Sequence, residues 1–222
     1  NHWLDAMPED CLIETEMTER FAIELSATAK AWNQIPPDTE ESLESLSRAW
    51  EADLIFLDAD TFVVAGGSVC FASSWSLAKA TGKSLSEVHG IVPGLNEAIG
   101  EKIHRFLHHL APGRSYHRAN WGMTRSDELN YHPALNRKAL DETVGWEELF
   151  LRLEHQSFLR VEAGIVLAVR IEPIALERLR TGHPEVLTAL RAQLATMPEE
   201  VAVYKGLNRA IPRILEGIDA KT

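Results

Sequence analysis

The sequence predicts an α+β fold in which an antiparallel sheet of about five strands is covered by helices on one side. Short runs rich in β-branched and aromatic residues lie in the middle of the chain, and longer segments with helical periodicity flank them. Strands grouped in this way favour an antiparallel sheet with flanking helices. The 222 residues, 45% of them hydrophobic, predict one domain over 1–222, with helices over about 1–50 and a helical tail over about 173–222.

The N-terminal helices are predicted from the spacing of apolar residues and from stop signals. Apolar residues recur at helical spacing over 12–33, and Pro36 and Pro37 end this pattern because proline has no backbone N–H to donate. The acidic run Asp38–Glu41 is typical of a helix cap and first turn. It predicts a second helix that ends near Trp50.

The five strands are predicted from short apolar runs. They cover Leu54–Leu57, Phe62–Phe71, Tyr116–Thr124, Leu149–Gln156 and Ile165–Ile171. Residues Asp58–Asp60 have the composition of a hairpin turn and would join the first two strands. Pro173 is predicted to end the sheet, because proline cannot donate to a strand ladder.

The remaining helices are predicted from helical spacing that ends at Gly or Pro. They cover residues 76–81, residues 94–110 up to Pro112-Gly113, and the tail from Ile174 to Ile218 with a break at Met197-Pro198. Gly82 is predicted to stop the first of them. Ser84 is predicted to open a further short turn that leads to His89.

The charge and the cysteine content disfavour several classes of function. A formal net charge of −11 disfavours nucleic acid and anionic membranes as partners, since both bind clustered Lys and Arg. The sequence has neither a run of about 18 apolar residues nor a signal-peptide pattern, so no membrane span is predicted. Cys11 and Cys70, without a CxxC motif, predict neither a disulfide framework nor a zinc site, and a cytoplasmic location is expected.

A tryptophan-bearing turn and a histidine suggest a cofactor pocket. Trp75 follows a strand, and His89 stands at the end of a short helix in apolar surroundings. Such an imidazole can serve as the proximal ligand of haem iron, and a satisfied core histidine is the alternative. His104 and His108 have the spacing of paired metal ligands, but the sequence offers no evident third ligand. We interpret them as a half-exposed helix face rather than as a zinc site.

Alternation along the third predicted strand puts Arg118 and Asn120 on one face and Trp121 on the other. Arg118 could pair with a carboxylate such as a haem propionate, because a guanidinium binds a carboxylate in bidentate geometry. Asn120 could orient a ligand. The alternative is a cross-strand ion pair beside a core tryptophan.

The fourth predicted strand ends in polar residues. Alternation puts Glu154 and Gln156 together, opposite His155, and Arg160 follows them. Glu154 could bind an ammonium substrate or relay protons. An edge strand with a solvated polar face is the alternative.

Tyr204-Lys205-Gly206 lies between two segments with helical spacing. Gly206 permits a turn, and the Tyr204 hydroxyl could supply a hydrogen bond to a ligand. A helix cap with Lys205 in solvent is the alternative.

Six segments, in order, resemble the haem-dependent oxidative N-demethylase family. They are Asp53–Leu57, Val69–Trp75, Val88–Pro93, Arg118–Trp121, Phe150–Gln156 and Tyr204–Gly206. The resemblance covers about residues 50–206 and is weaker in the first helix. It implies a PAS-type fold, in which a five-stranded antiparallel sheet and its helices enclose haem b.

The family resemblance also implies an activity and a set of site residues. Members of the family use O2 and electrons from a flavin or iron–sulfur reductase to remove a methyl group from a secondary amine such as dimethylamine, and they release formaldehyde. The resemblance implies His89 as iron ligand, Arg118, Asn120, Trp75 and Arg160 as cofactor-binding residues, and Glu154, Gln156 and Tyr204 as catalytic residues. A haem or small-ligand sensor of the same fold is the alternative, and a structural relative without a cofactor is a third reading.

The chain departs from the family pattern at several positions. Ala72 stands where the family usually has Pro, His155 and Ser157 replace Arg and Thr, and Glu172 replaces an aromatic residue. These departures bear on substrate identity and on activity. Loss of an arginine at position 155 could remove a propionate partner, which His155 could replace only when it is protonated.

Overall fold

The computed structural model, which describes residues 2–221, contains one open antiparallel sheet of six strands. In chain order the strands are β1 (Leu12–Ile13), β2 (Asp53–Asp58), β3 (Val64–Ser68), β4 (Ser115–Thr124), β5 (Phe150–Val161) and β6 (Gly164–Ala175). Their lateral order is β1-β3-β2-β6-β5-β4, with antiparallel pairing at every step. The predicted α+β class, with an antiparallel sheet and flanking helices, is confirmed.

The five predicted strands are present with shifted ends, and a sixth joins them. β3 ends at Ser68 rather than at Phe71. The reason is that the side-chain oxygens of Asp53 accept the backbone N–H groups of Cys70 (2.7 Å) and Phe71 (3.1 Å), which takes these groups out of the strand ladder. The prediction of a helix from residue 12 is wrong for Leu12 and Ile13, which form β1 by pairing with β3.

The prediction that Pro173 ends the sheet is also wrong. β6 continues to Ala175, and Pro173 lies opposite Arg152 of β5. The pairing of β6 with β2 stops at Val169. In the described part of the chain no strand pairs with that edge of β6 beyond Val169, so the missing N–H of proline costs no ladder bond.

Four helices come from the N-terminal region. They are α1 (His2–Ala6), α2 (Pro8–Cys11), α3 (Glu16–Ala31) and α4 (Leu43–Ala49). A capping box of Thr15 and Thr18 opens α3. The predicted cap of α4 at Asp38–Glu41 is wrong, because Ser42 is extended and its hydroxyl accepts the N–H of Ser45 (3.2 Å).

The helices between β3 and β4 lie where they were predicted. They are α5 (Leu77–Ala80), α6 (Leu85–His89), a π-helical turn (Asn96–Gly100) and α7 (Glu101–His108). Ser84 and Glu87 form a capping box at the start of α6, with a distance of 2.8 Å from Ser84 N to Glu87 Oε2. The segment predicted as one amphipathic helix therefore begins with a π-helical turn.

The C-terminal tail forms four helices rather than two. They are α8 (Leu176–Gly182), α9 (Pro184–Ala195), α10 (Glu199–Tyr204) and α11 (Ile211–Lys221). The predicted break at Met197-Pro198 is present, and further breaks lie at His183 and Gly206. Within residues 2–221, no helix has the length and apolar character required to span a membrane.

Helices cover both faces of the sheet, so the prediction of one covered face is wrong. In β2, Leu54 and Phe56 contact α3 and α4, and Phe21 of α3 stacks on Phe56 with ring centroids 4.6 Å apart. Ile55 and Leu57 point to the opposite side, beneath α5, α6 and α7. We call the side of Leu54 and Phe56 the α3 face and the side of Ile55 and Leu57 the α6 face. Helices α8–α11 cover the far end of the α3 face, against Trp121 of β4 and neighbouring residues of β5 and β6.

Candidate functional site

Strands β4 and β5 bring four of the predicted site residues into one hydrogen-bonded row on the α6 face. Arg118 lies opposite Gln156, and Asn120 lies opposite Glu154. Arg118 Nε donates to Gln156 Oε1 (2.6 Å), Gln156 Nε2 donates to Glu154 Oε2 (3.0 Å), and Asn120 Nδ2 donates to Glu154 Oε2 (3.1 Å). The predicted shared face of Arg118 with Asn120, and of Glu154 with Gln156, is confirmed. We call the four side chains the polar row.

Two residues that the sequence interpretation missed support the polar row. The Ser73 hydroxyl donates to Glu154 Oε1 (2.8 Å), and Arg152 Nε donates to Ser73 Oγ (3.0 Å). Arg152 is only 3% exposed, and its Nη2 donates to the carbonyl oxygens of Phe71 (2.7 Å) and Leu129 (2.8 Å). Arg152 has the same strand parity as Glu154, so alternation contained a signal for it. Ser73 lies in a turn, so strand alternation gave no indication of its position.

The Glu154 carboxylate is fixed but not saturated with hydrogen bonds. Its Oε2 accepts two hydrogen bonds, from Asn120 and Gln156, and its Oε1 accepts one, from Ser73. A carboxylate offers about four acceptor positions. One position on Oε1 therefore remains for an N–H or O–H donor of a ligand.

The turn that carries Ser73 and Trp75 has a strained backbone. Ser74 has a φ of 63°, a left-handed conformation that costs a non-glycine residue about 1–3 kcal/mol. Two hydrogen bonds to the backbone of Tyr131 hold it, from Ser74 N to Tyr131 O (3.1 Å) and from Tyr131 N to Ala72 O (2.8 Å). Trp75 follows and packs, partly buried, against the apolar core of the α6 face. The strained turn thus aims the Ser73 hydroxyl at Glu154.

His89 ends α6 with a half-buried imidazole, as the sequence predicted for its position. Burial lowers the pKa of His89, and the positive charge of Arg118 lowers it further. The imidazole is therefore neutral at pH 7, the form that can ligate a metal. Within residues 2–221, no side chain forms a hydrogen bond with either ring nitrogen of His89.

Aromatic side chains border the Arg118 end of the polar row. Phe106 of α7 lies edge-on to both Tyr116 and Phe158, with centroid distances of 5.6 Å in each case. The Arg118 guanidinium carbon lies 5.5 Å from the centroid of the Phe158 ring. We call Phe106, Tyr116 and Phe158 the aromatic corner. Phe106 (38%) and Tyr116 (37%) are exposed, as is Ile91 (69%) in the loop after His89.

Tyr204 and Lys205 lie at the end of α10, beside the edge strand β4. Gly206, with a φ of 66°, closes α10, and the N–H of Leu207 bonds to the carbonyl of Ala202 (2.8 Å). Burial raises the pKa of Tyr204, and the negative charge of Glu154 raises it further. The alternative that places Lys205 in solvent is wrong, because its Nζ donates to the backbone oxygen of Trp121 (2.8 Å) at the edge of β4.

Arg160 does not join the polar row. It lies near the end of β5 and borders a separate pocket of about 340 Å³, together with Glu24, Gly113 and Glu162. Its Nη1 is buried without a hydrogen-bond partner in the described part of the chain. The predicted haem-binding role of Arg160 therefore has no support from the geometry of the row.

Two departures from the family pattern contact each other. His155 points to the α3 face, and its Nε2 lies 2.8 Å from Glu172 Oε2. A propionate partner at position 155 would therefore lie on the other side of the sheet from Arg118 and Glu154. The predicted position of His155, opposite Glu154 and Gln156, is confirmed, and a role of position 155 as a propionate partner stays a prediction.

The predicted helix-face role of His104 and His108 is confirmed. Their rings lie edge-on to Phe62, with centroid distances of 5.3 and 4.7 Å, and His108 is exposed. Among the described residues, no three His, Cys, Asp or Glu side chains are grouped so that they could hold a metal ion.

The residues of the α6 face fit a haem group. His89 offers a neutral imidazole, and Ile91 and the aromatic corner offer exposed apolar surface for a macrocycle. In the described residues no carboxylate lies within ion-pair distance of Arg118. Its guanidinium charge is thus available to a propionate.

A model of one protein family matches residues 11–215 of the chain, and this family is described as haem-dependent oxidative N-demethylase, alpha subunit-like. The matched region contains the whole sheet, the polar row and His89. No curated protein matches the chain.

Proposed function

The chain belongs to the family described as haem-dependent oxidative N-demethylase, alpha subunit-like, and on that premise we propose that it binds haem b through His89 and oxidatively removes a methyl group from a small secondary amine such as dimethylamine. The observation that carries this proposal is the Glu154 carboxylate. Ser73, Asn120 and Gln156 hold it by hydrogen bonds, while one acceptor position of Oε1 stays open. A fixed carboxylate with an open position suits a small ammonium ion.

In this proposal His89 ligates the iron, Arg118 pairs with a propionate, and Trp75 and the aromatic corner supply apolar surface. When bound, haem supplies the activation of O2 and the transfer of electrons to it. We leave Arg160 outside the haem site, because four strand residues, about 13 Å, separate its Cα from that of Gln156. Asn120, which was predicted to orient a ligand directly, acts in this proposal by holding Glu154.

Glu154 binds the substrate and moves a proton in the proposed reaction. The amine, O2, two electrons and two protons give formaldehyde, the demethylated amine and water. The oxidised methyl carbon separates from nitrogen once a proton moves from its hydroxyl group to that nitrogen, and Glu154 is the proposed carrier. Gln156 links the Glu154 carboxylate to Arg118, because it donates to Glu154 and accepts from Arg118. The Tyr204 hydroxyl is protonated at neutral pH, and its raised pKa keeps it so at higher pH; we assign it as a hydrogen-bond donor to the substrate.

Electrons for the reaction would come from a partner protein. The family description names an alpha subunit, and we propose a flavin or iron–sulfur reductase as the partner. We also propose a cytoplasmic location, since Cys11 and Cys70 form no disulfide bond in the described residues and a reducing compartment keeps thiols reduced.

An absorption spectrum tests the haem site. The wild-type protein, His89→Ala and His108→Ala are each reconstituted with haem, and His108 serves as a matched control because it lies on an exposed helix face. We expect a sharp Soret band in the wild type and in the control, and its loss in His89→Ala. A wild-type protein without a Soret band would contradict the proposal.

Turnover separates the enzyme from the sensor alternative. The reconstituted protein is mixed with dimethylamine, O2 and a chemical reductant or reductase, and formaldehyde is measured. Amine-dependent O2 consumption with matching formaldehyde supports the enzyme. Haem binding through His89 without formaldehyde from any small secondary amine would instead favour a haem sensor of the same fold.

A further inference from the structure

A second pocket lies away from the polar row, between α1, the end of α4 and the loop that precedes Asn130. Its volume is about 600 Å³. The lining includes three aromatic residues and three acidic ones, namely Trp3, Trp50, Phe71, Glu51, Asp127 and Glu128. We call it the α4 pocket. No residue of the polar row lines it.

The α4 pocket combines the groups that attract organic cations. The faces of indole and phenyl rings carry negative electrostatic potential and bind ammonium and guanidinium groups. Arg48, the basic residue of the lining, is already paired with Asp5 (2.6 Å) and Glu44 (2.9 Å). Helix α4 ends at this pocket, and the last carbonyl groups of a helix lack partners within the helix. Acidic and aromatic residues thus line the same cavity, at the end of a helix.

The rim of the pocket already binds one cation of the chain itself. The Arg137 guanidinium carbon lies 5.9 Å from the centroid of the Trp3 ring, and its Nη2 donates to Glu128 Oε2 (3.1 Å). In contrast, Glu51 and Asp127 have neither a hydrogen bond nor an ion pair through their carboxylates in the described part of the chain. Two acidic groups beside Trp50 and Phe71 thus remain available to a cation from outside.

We propose that the α4 pocket binds a small organic cation, a substituted ammonium ion, at a site distinct from Glu154. A substituted ammonium fits better than a metal ion, because aromatic rings supply much of the lining and metal ions of the hard class require a shell of oxygen ligands. The inference goes beyond the proposed demethylation, since it needs neither haem nor turnover.

Tetramethylammonium is the probe, and the haem-free full chain is titrated while the indole N–H signals are followed by NMR. Trp→Phe variants at positions 3 and 50 assign the two signals of the pocket. We expect saturable shifts of the Trp3 and Trp50 signals. Uncharged tert-butanol, a probe of similar size, is expected to leave both signals in place.

Charge-neutral variants supply the matched comparison. The double variant Glu51→Gln/Asp127→Asn is expected to weaken tetramethylammonium binding about tenfold. Asp38→Asn/Glu147→Gln removes two exposed charges elsewhere and is expected to bind within about twofold of the wild type. Glu154→Gln is expected to leave the Trp50 shift unchanged.

Four results would overturn the proposal. Three of them are an absence of saturable shifts at Trp3 and Trp50, equal shifts with tert-butanol, and equal weakening in both double variants. The fourth is loss of the Trp50 shift in Glu154→Gln, because the pocket would then not be a distinct site. None of these results depends on haem binding, so they leave the test of the proposed function intact.

Discussion

Replacing Glu154 by glutamine would remove the charge of the proposed ammonium site while keeping its hydrogen bonds. Glutamine can place its amide oxygen where Oε2 accepts from Asn120 and Gln156. Its NH2 group then faces the Ser73 oxygen, which can accept that bond. The Ser73 hydroxyl then loses Oε1 as its acceptor, but Ser73 is only partly buried, so water can accept that bond. We therefore expect the free energy of unfolding to fall by about 1 kcal/mol.

The loss in substrate binding can be worked out from the same geometry. A hydrogen bond between an ammonium and a carboxylate contributes about 1.5–3 kcal/mol, which corresponds to about a 10- to 150-fold change in affinity. Amine-dependent formaldehyde release should therefore show a KM raised by about this factor in Glu154→Gln. Glu172→Gln is the matched control, because Glu172 pairs with His155 on the α3 face. Equal KM values for the wild type and Glu154→Gln would refute the assignment of Glu154.

Three further predictions concern stability and ionisation. Burial raises the pKa of Asp53 from 3.8 to about 8, so the contribution of the protonated Asp53 side chain to stability is full below pH 3.8 and is lost as the pH rises through about 8. In urea unfolding, Asp53→Asn should therefore remove the part of the pH dependence that lies between these two values. Arg118→Gln should raise the pKa of His89 in an NMR titration, while Arg114→Gln should not. Gly67→Ala should destabilise the chain by more than about 3 kcal/mol in urea unfolding, because its Cβ would overlap a backbone carbonyl of β2, whereas Gly182→Ala meets open space. An unchanged pH profile, an unshifted pKa or equal midpoints would contradict these expectations in turn.

Much of the candidate site follows from local periodicity. A strand alternates its side chains with a period of two, so the shared faces of Arg118 with Asn120, and of Glu154 with Gln156, could be predicted from β4 and β5 separately. The register between the strands then joins the two pairs. Ser73 could not be predicted in this way, because its bond to Glu154 links residues 81 positions apart.

The errors in the fold prediction also arise from contacts between residues that are distant in sequence. Leu12 and Ile13 continue an apolar pattern that is typical of a helix, but they meet the free edge of β3, a partner more than 50 residues away. Pro173 is a sound stop signal in a paired strand, but it lies where β6 has lost its neighbour β2. In both cases the deciding contact is distant in sequence.

The hydrogen bonds of Arg152 have a consequence for motion. One buried guanidinium reaches Phe71 and Ser73 on one segment and Leu129 on another. If either segment opened, its backbone carbonyls would lose the Arg152 donor at a place that water does not readily reach. The two segments should therefore open as one cooperative unit. Hydrogen exchange of the Ser74 and Tyr131 amides, which bond to the partner segment, should then occur at similar rates. Opening of the segment that carries Leu129 would thus release Ser73 from Arg152 and loosen the hold on Glu154, although that segment supplies none of the polar row.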